Sequence, residues 1–264
     1  MNMTGKMYKA TLKAIWRSPV LWICVCLSLL FLANEASNYQ VASSRTYHKL
    51  ISNFVLTPIM LEIPIIIGIA AGTDMLRERK NRVLDIIRTK PDVTLRLYIA
   101  KILSYITVFY TLALVLSLLR FFTYLAFFNG LAGIEYGFFE SLYMIAVRWL
   151  AYTLPVALNV ISITVFTALL FKSTIVSIVS SVFYTLINVF GKAIIYRTWF
   201  QYYLYLVPEK IVVHFYYLSS RPDMVEEAAE MSRSTDVLLA YGIVIAVSGV
   251  FFVLGGCLFR RMSD

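Results

Sequence analysis

Charge is what this chain has least of. Only 15% of its 264 residues are charged, 60% are hydrophobic and the mean hydropathy is +0.76. An ordinary soluble domain carries about 25% charged residues. So few charges cannot cover that much apolar surface with a water-facing shell, which excludes a soluble globular enzyme and a disordered chain. Lipid must be the solvent for much of it. Histidine is nearly absent: His48 and His214 are the only two, with no HExxH and no Cys/His cluster, so no metal site is expected. The three cysteines, Cys24, Cys26 and Cys257, all fall in apolar stretches, which argues against a disulfide framework and for packed thiols. No repeat, low-complexity segment or second soluble domain is found.

Acids are also scarce, at 15 against 24 Lys+Arg. In a soluble chain the net charge of +9 would point to nucleic acid. In a membrane chain it reflects basic cytoplasmic loops, and no nucleic-acid partner is expected.

At about 20 residues per span, about six spans fit between the polar stretches. Residues 1–17 read as an amphipathic helix. Lys6, Lys9, Lys13 and Arg17 form one basic stripe, and Tyr8, Leu12, Ile15 and Trp16 the opposite one. Such a helix is expected to lie on the membrane surface with its apolar face down. The six-span bundle covers 18–259, followed by a cytoplasmic tail at 260–264. The spans are placed at about 18–33, 53–73, 97 to the 120s, 142–171, 175–195 and 237–259. A signal peptide is disfavoured because no clean A-x-A site follows the first span. Only Lys172, Ser173 and Thr174 separate the fourth and fifth spans, which implies a tight helical hairpin.

Orientation follows from the placement of Lys and Arg. With both termini in the cytoplasm, one face collects the N-terminal helix, the segment Arg77 to Arg96, Lys101, Lys172, Arg260 and Arg261. That is 15 of the 24 basic residues. The opposite loops carry most of the acids, including Glu135, Glu140, Glu209, Glu226 and Glu230.

Three places carry candidate chemistry. After the second span comes a short helix, Asn81 to Arg88, expected to stop at Pro91. Arg82, Asp85 and Arg88 share one face, and Val83, Leu84, Ile86 and Ile87 supply the other, as insertion into a groove on a soluble partner requires. The blander reading is a basic loop resting on lipid. Glu62 is an acid inside a span, about 12 residues or about 18 Å from its cytoplasmic end. A charge there faces the bundle interior with a partner, and Arg120 and Arg148 approach from the far side. Glu62 is either a pathway or gating carboxylate, half of a structural ion pair, or a protonated acid bonded to a carbonyl freed by Pro64. The last loop, 196–235, is rich in aromatics, among them Tyr202, Tyr205 and Phe215. These form an interfacial belt or an outer gate, with short helices starting at Pro208 and Pro222. No catalytic residue is expected, because one buried acid with no Ser/His or His/His pair does not make an intramembrane enzyme.

The run Met75-Leu-Arg-Glu-Arg-Lys-Asn-Arg-Val-Leu-Asp-Ile-Ile-Arg-Thr-Lys-Pro91 between two spans resembles the ABC-2 type permeases of ABC transporters. Asn81-Arg82-Val83-Leu84-Asp85 stands where that family has a Gly-Thr-Leu-Glu-like stretch. The amphipathic first helix, the long last external loop and the Phe-Arg-Arg ending are similar too. The resemblance implies an all-α integral membrane fold of six transmembrane helices. An N-terminal connecting helix (Tyr8, Leu12, Ile15, Trp16) precedes them, a cytoplasmic coupling helix (Asn81, Arg82, Val83, Leu84, Asp85, Ile86, Ile87, Arg88) follows span 2, and short external helices precede span 6. It implies export of a drug-like, peptide or lipid-like substrate from the inner membrane of a bacterium. Two permease chains, identical or paralogous, would pair with two copies of a separate ABC ATPase subunit that binds ATP and Mg. Alternatives are a polysaccharide or teichoic acid exporter and a non-transporting peptide immunity or sensor protein. The chain has no G-x-x-x-x-G-K-[ST]: Gly191-Lys192 has Leu186 and Ala193 at the positions that need Gly and Ser/Thr.

Overall fold

A computed structural model describes residues 3–19, 21–23, 25–30, 58–80, 91–127, 138–195 and 234–263. Among these residues the secondary structure is entirely helical. α1 is Met3–Trp16 and α2 is Leu21–Leu30. A π-helical turn, Pro58–Glu62, leads without a break into α3, Ile63–Lys80. α4 is Pro91–Phe127, α5 Phe138–Phe171, α6 Thr174–Ile195 and α7 Ser234–Ser263.

α4, α5 and α7 contain stretches long and apolar enough to cross a membrane: Val93–Thr123, Thr153–Phe171 and Tyr241–Arg261. The α1–α2 pair, bent by 52°, passes the same test when taken as one span. Ile63–Leu76 and Thr174–Leu186 are shorter apolar helices. The described helices therefore hold three to four candidate spans, not the full six expected.

The breaks have local causes. Pro19 cannot continue the hydrogen-bond ladder of α1. Trp22 covers the exposed end instead, donating Nε1–H to the Trp16 carbonyl at 2.7 Å. Pro64 lacks an N–H and its ring crowds the carbonyl four residues earlier. The wide turn ends at Glu62, two residues before it. Pro91 opens α4 rather than merely ending what precedes it, and its fixed φ suits a first helical position. Between α5 and α6, Lys172 adopts φ 53° and Ser173 caps α6 through its side chain. This is the tight hairpin read from the sequence.

α5 lies at the centre. It packs on α3, α4, α6 and α7, while α1 lies along α4 and α3 along α6. The core is aliphatic and aromatic, with Ile63, Ile67, Phe109, Phe121, Val156 and Ile161 buried. The outer surface is apolar as well. Ile175, Val179 and Phe183 form an exposed stripe on α6, and Leu95, Ile99 and Leu103 one on α4. Apolar side chains on both the inside and the outside of a helix bundle mean that hydrocarbon, not water, surrounds it.

α1 differs from the expected surface-lying helix. Its basic stripe, Lys6, Lys9, Lys13 and Arg17, is exposed. Its apolar stripe packs on the protein instead of facing lipid alone: Ile15 is buried, Leu12 and Trp16 rest on the core, and Tyr8 hydroxyl bonds Thr107 at 2.9 Å. The thiols also differ. Cys26 and Cys257 are exposed rather than packed.

Candidate functional site

Three polar layers cross the apolar bundle. The first is centred on Glu62, the last residue of the π-helical turn. Arg120 of α4 donates Nη2–H to Glu62 Oε1, and Ser28 of α2 donates its hydroxyl to Oε2. Both carboxylate oxygens are engaged, each from a different helix. All three side chains are buried. In hydrocarbon an ion pair persists only when each charge has such partners, because desolvation costs several kcal/mol per ion. The arrangement thus ties α2, α4 and the turn to one point.

The second layer is the close approach of α3 and α6. Gly68 and Gly72, one turn apart, meet Ser181 and Ser177 at the same spacing. A Cβ at Gly68 would lie 2.4 Å from the Ser181 Cβ, so only glycine lets the helices approach this far. Ser181 Oγ donates to the Pro64 carbonyl at 2.5 Å, and Ser177 Oγ to the Thr164 carbonyl at 3.1 Å. Nearby, Ser248 of α7 donates to Asn159 Oδ1 of α5 at 3.0 Å.

The third layer lies where α3 ends and α4 begins. Lys101 Nζ and the Tyr105 hydroxyl both donate to Asp74 Oδ2, at 2.5 and 2.6 Å. On the same stretch of α4, Ser104 Oγ donates to the Tyr8 carbonyl at 3.3 Å and Thr107 meets the Tyr8 hydroxyl. α1, α3 and α4 are thereby bonded together.

Of the residues expected from the sequence, Glu62 and Arg120 are brought together. Tyr8, Leu12, Ile15 and Trp16 are brought together on α4. Arg148 lies on α5, and its side chain is outside the described residues. Asn81 to Arg88, Tyr202, Tyr205 and Phe215 also lie outside them. Sequence reasoning missed Ser28, a small polar residue in an apolar run with no distinguishing neighbour. It missed the Asp74–Lys101–Tyr105 cluster. It also missed the G-x-x-x-G at 68–72, for which a signal was present.

A helical bundle clad in apolar side chains, with its ion pairs set between helices, is an integral membrane protein. Its family is given by comparison: the family model for ABC-2 family transporter proteins matches residues 12–188, and the chain belongs to that family. The match runs from α1 through most of α6 and includes Ser28, Glu62, Asp74, Lys101 and Arg120. No curated protein matches the chain. Permeases of the ABC-2 family are transmembrane subunits that lack an ATPase domain and normally work with an ATPase subunit.

Proposed function

We propose that this chain is the membrane-spanning permease of an ABC exporter for an amphipathic substrate, drug-like, peptide or lipid-like. ATP and Mg bind a separate ATPase subunit, present in two copies, and two permease chains enclose the path. The chain crosses the inner membrane of a bacterium six times with both termini cytoplasmic. α2 and α3, whose apolar stretches are short, supply the first two spans, and α4 to α7 the remaining four.

The observation that carries this reading is the third polar layer. In the sequence Asn81 to Arg88 connects α3 to α4, and those two helices are bonded to each other and to α1 by Asp74, Lys101, Tyr105, Ser104 and Tyr8. A segment mounted on such a frame transmits a push instead of absorbing it. Closure of the ATPase dimer moves Asn81 to Arg88 as a coupling helix. The frame carries that motion into α4, and the Glu62–Arg120 pair at its far end is the gate at which the spans change packing.

The test is a Leu84→Asp, Ile87→Asp double substitution. It sets two charges against the apolar groove of the ATPase, where an unpaired buried charge costs about 3–5 kcal/mol. Recovery of the ATPase with the permease should fall sharply while the permease itself stays folded. Full recovery would leave residues 81–88 as a plain basic loop.

A further inference from the structure

A groove of about 570 Å³ runs between α4 and α7 on the outside of the bundle. Its origin is the glycine pair Gly255 and Gly256. A Cβ at Gly255 would lie 2.5 Å from the Tyr98 hydroxyl, and one at Gly256 would lie 3.4 Å from the Tyr98 ring. Tyr98 turns inward over these glycines and donates to the Phe252 carbonyl at 2.9 Å. What remains facing outward is apolar: Leu95, Ile99 and Leu103 on α4, and Val253 on α7, all exposed.

One end of the groove is different. Thr94 and Arg260 line it, where α4 starts and α7 ends. Arg96 and Arg261 are exposed on the same two helix ends. From Thr94 to Leu103 the wall is about 14 Å long. That matches the hydrocarbon depth of one leaflet, about 15 Å. An apolar channel of leaflet depth with a cation at its mouth has the shape and charge of a membrane lipid lying upright. Hydrocarbon leaves no void beside a protein, so an acyl chain would fill such a channel, and a cation at its mouth would favour an anionic headgroup.

We propose that the α4–α7 groove binds an anionic phospholipid, with one acyl chain against Leu95, Ile99 and Val253 and the phosphate at Arg260. Such a lipid would fix the ends of α4 and α7 relative to each other. Its binding needs only a membrane-embedded bundle, so it stands or falls separately from the ATPase partner.

Cys257 lines the groove and is exposed, which makes it a reporter. In the full chain carrying Cys24→Ser and Cys26→Ser it is the sole thiol. Its rate of maleimide modification is measured in detergent with added phosphatidylglycerol or phosphatidylcholine of the same acyl chains. Phosphatidylglycerol should protect at about fivefold lower concentration, the preference one basic side chain gives near an anionic headgroup. Arg260→Gln, with its fold verified by thermal unfolding, should bring both lipids to the phosphatidylcholine value. Equal protection by the two lipids in the unsubstituted protein, or none, overturns the anionic site. A preference that survives Arg260→Gln overturns the role of that residue. Protection that rises with protein concentration and ignores lipid places a second copy of the chain in the groove and overturns the proposal.

Discussion

Arg120 of α4 and Glu62 of the π-helical turn form an ion pair that is almost wholly shielded, with side-chain exposures of 1% and 7%. Ser28 holds the second carboxylate oxygen. The pair joins the π-helical turn before Pro64 to α4, the longest of the described helices. A helix that has lost part of its internal ladder needs an external anchor, and Glu62 supplies one.

Removing one charge should strand the other. Glu62→Gln and Arg120→Gln should each lower stability by about 3–5 kcal/mol, and the double variant should recover most of the loss. Thermal unfolding of the four proteins measures this. A Glu62→Gln protein as heat-stable as the parent would show that the pair does not anchor the turn. Transport or substrate-stimulated ATPase assays on the double variant separate the two roles. A gate loses activity even when stability returns.

The glycine contacts predict a graded response. Gly68→Ala places a Cβ 2.4 Å from the Ser181 Cβ, and Gly72→Ala one 2.9 Å from the Ser177 Cβ. Both overpack the α3–α6 interface, at a cost of about 1–3 kcal/mol, with Gly68→Ala the worse. Ser181→Gly in the Gly68→Ala background should regain part of that stability. Gly249→Ala is the control, since nothing lies within 4 Å of its Cβ position. Equal melting temperatures for Gly68→Ala and Gly249→Ala would contradict the close approach.

Asp74 is held by Lys101 and Tyr105, and it is partly exposed, at 26%. Lys101→Met removes one of two donors. The expected stability loss is modest, about 1–3 kcal/mol, because water screens the carboxylate that remains. If the α1–α3–α4 frame transmits motion, the ratio of substrate-stimulated to basal ATPase activity should drop further than Tyr105→Phe alone produces. An unchanged ratio in Lys101→Met would remove the frame from the mechanism.

Single cysteines report the topology. Placed at Gln40, Gly133 and Val225, they should react with an impermeant maleimide from outside intact cells. Placed at Lys80 and Ser263, they should react only after permeabilisation. External labelling at Lys80 would reverse the orientation drawn from the basic residues.

Much of this protein was legible in its residues. Membrane residence follows from composition, because 15% charge cannot solvate a chain that is 60% hydrophobic. The hairpin at Lys172–Ser173 and the weak point before Pro64 follow from local backbone chemistry, which needs no neighbour. Glu62 declared itself because a lone acid in an apolar run is costly wherever the chain goes.

Partners were decided in three dimensions. Arg120 and Arg148 were equal candidates along the chain. The packing of α4 against the π-helical turn placed the Arg120 guanidinium on Glu62. Ser28 looks like any small residue in a span until folding sets its hydroxyl beside a buried carboxylate. The apolar stripe of α1 was read as lipid-facing, since periodicity defines a face but not what covers it; packing put α4 there. In a membrane chain this ambiguity is general. Lipid and protein core are equally apolar, so hydrophobicity alone does not tell inside from outside, and close approach and polar pairing between helices settle it.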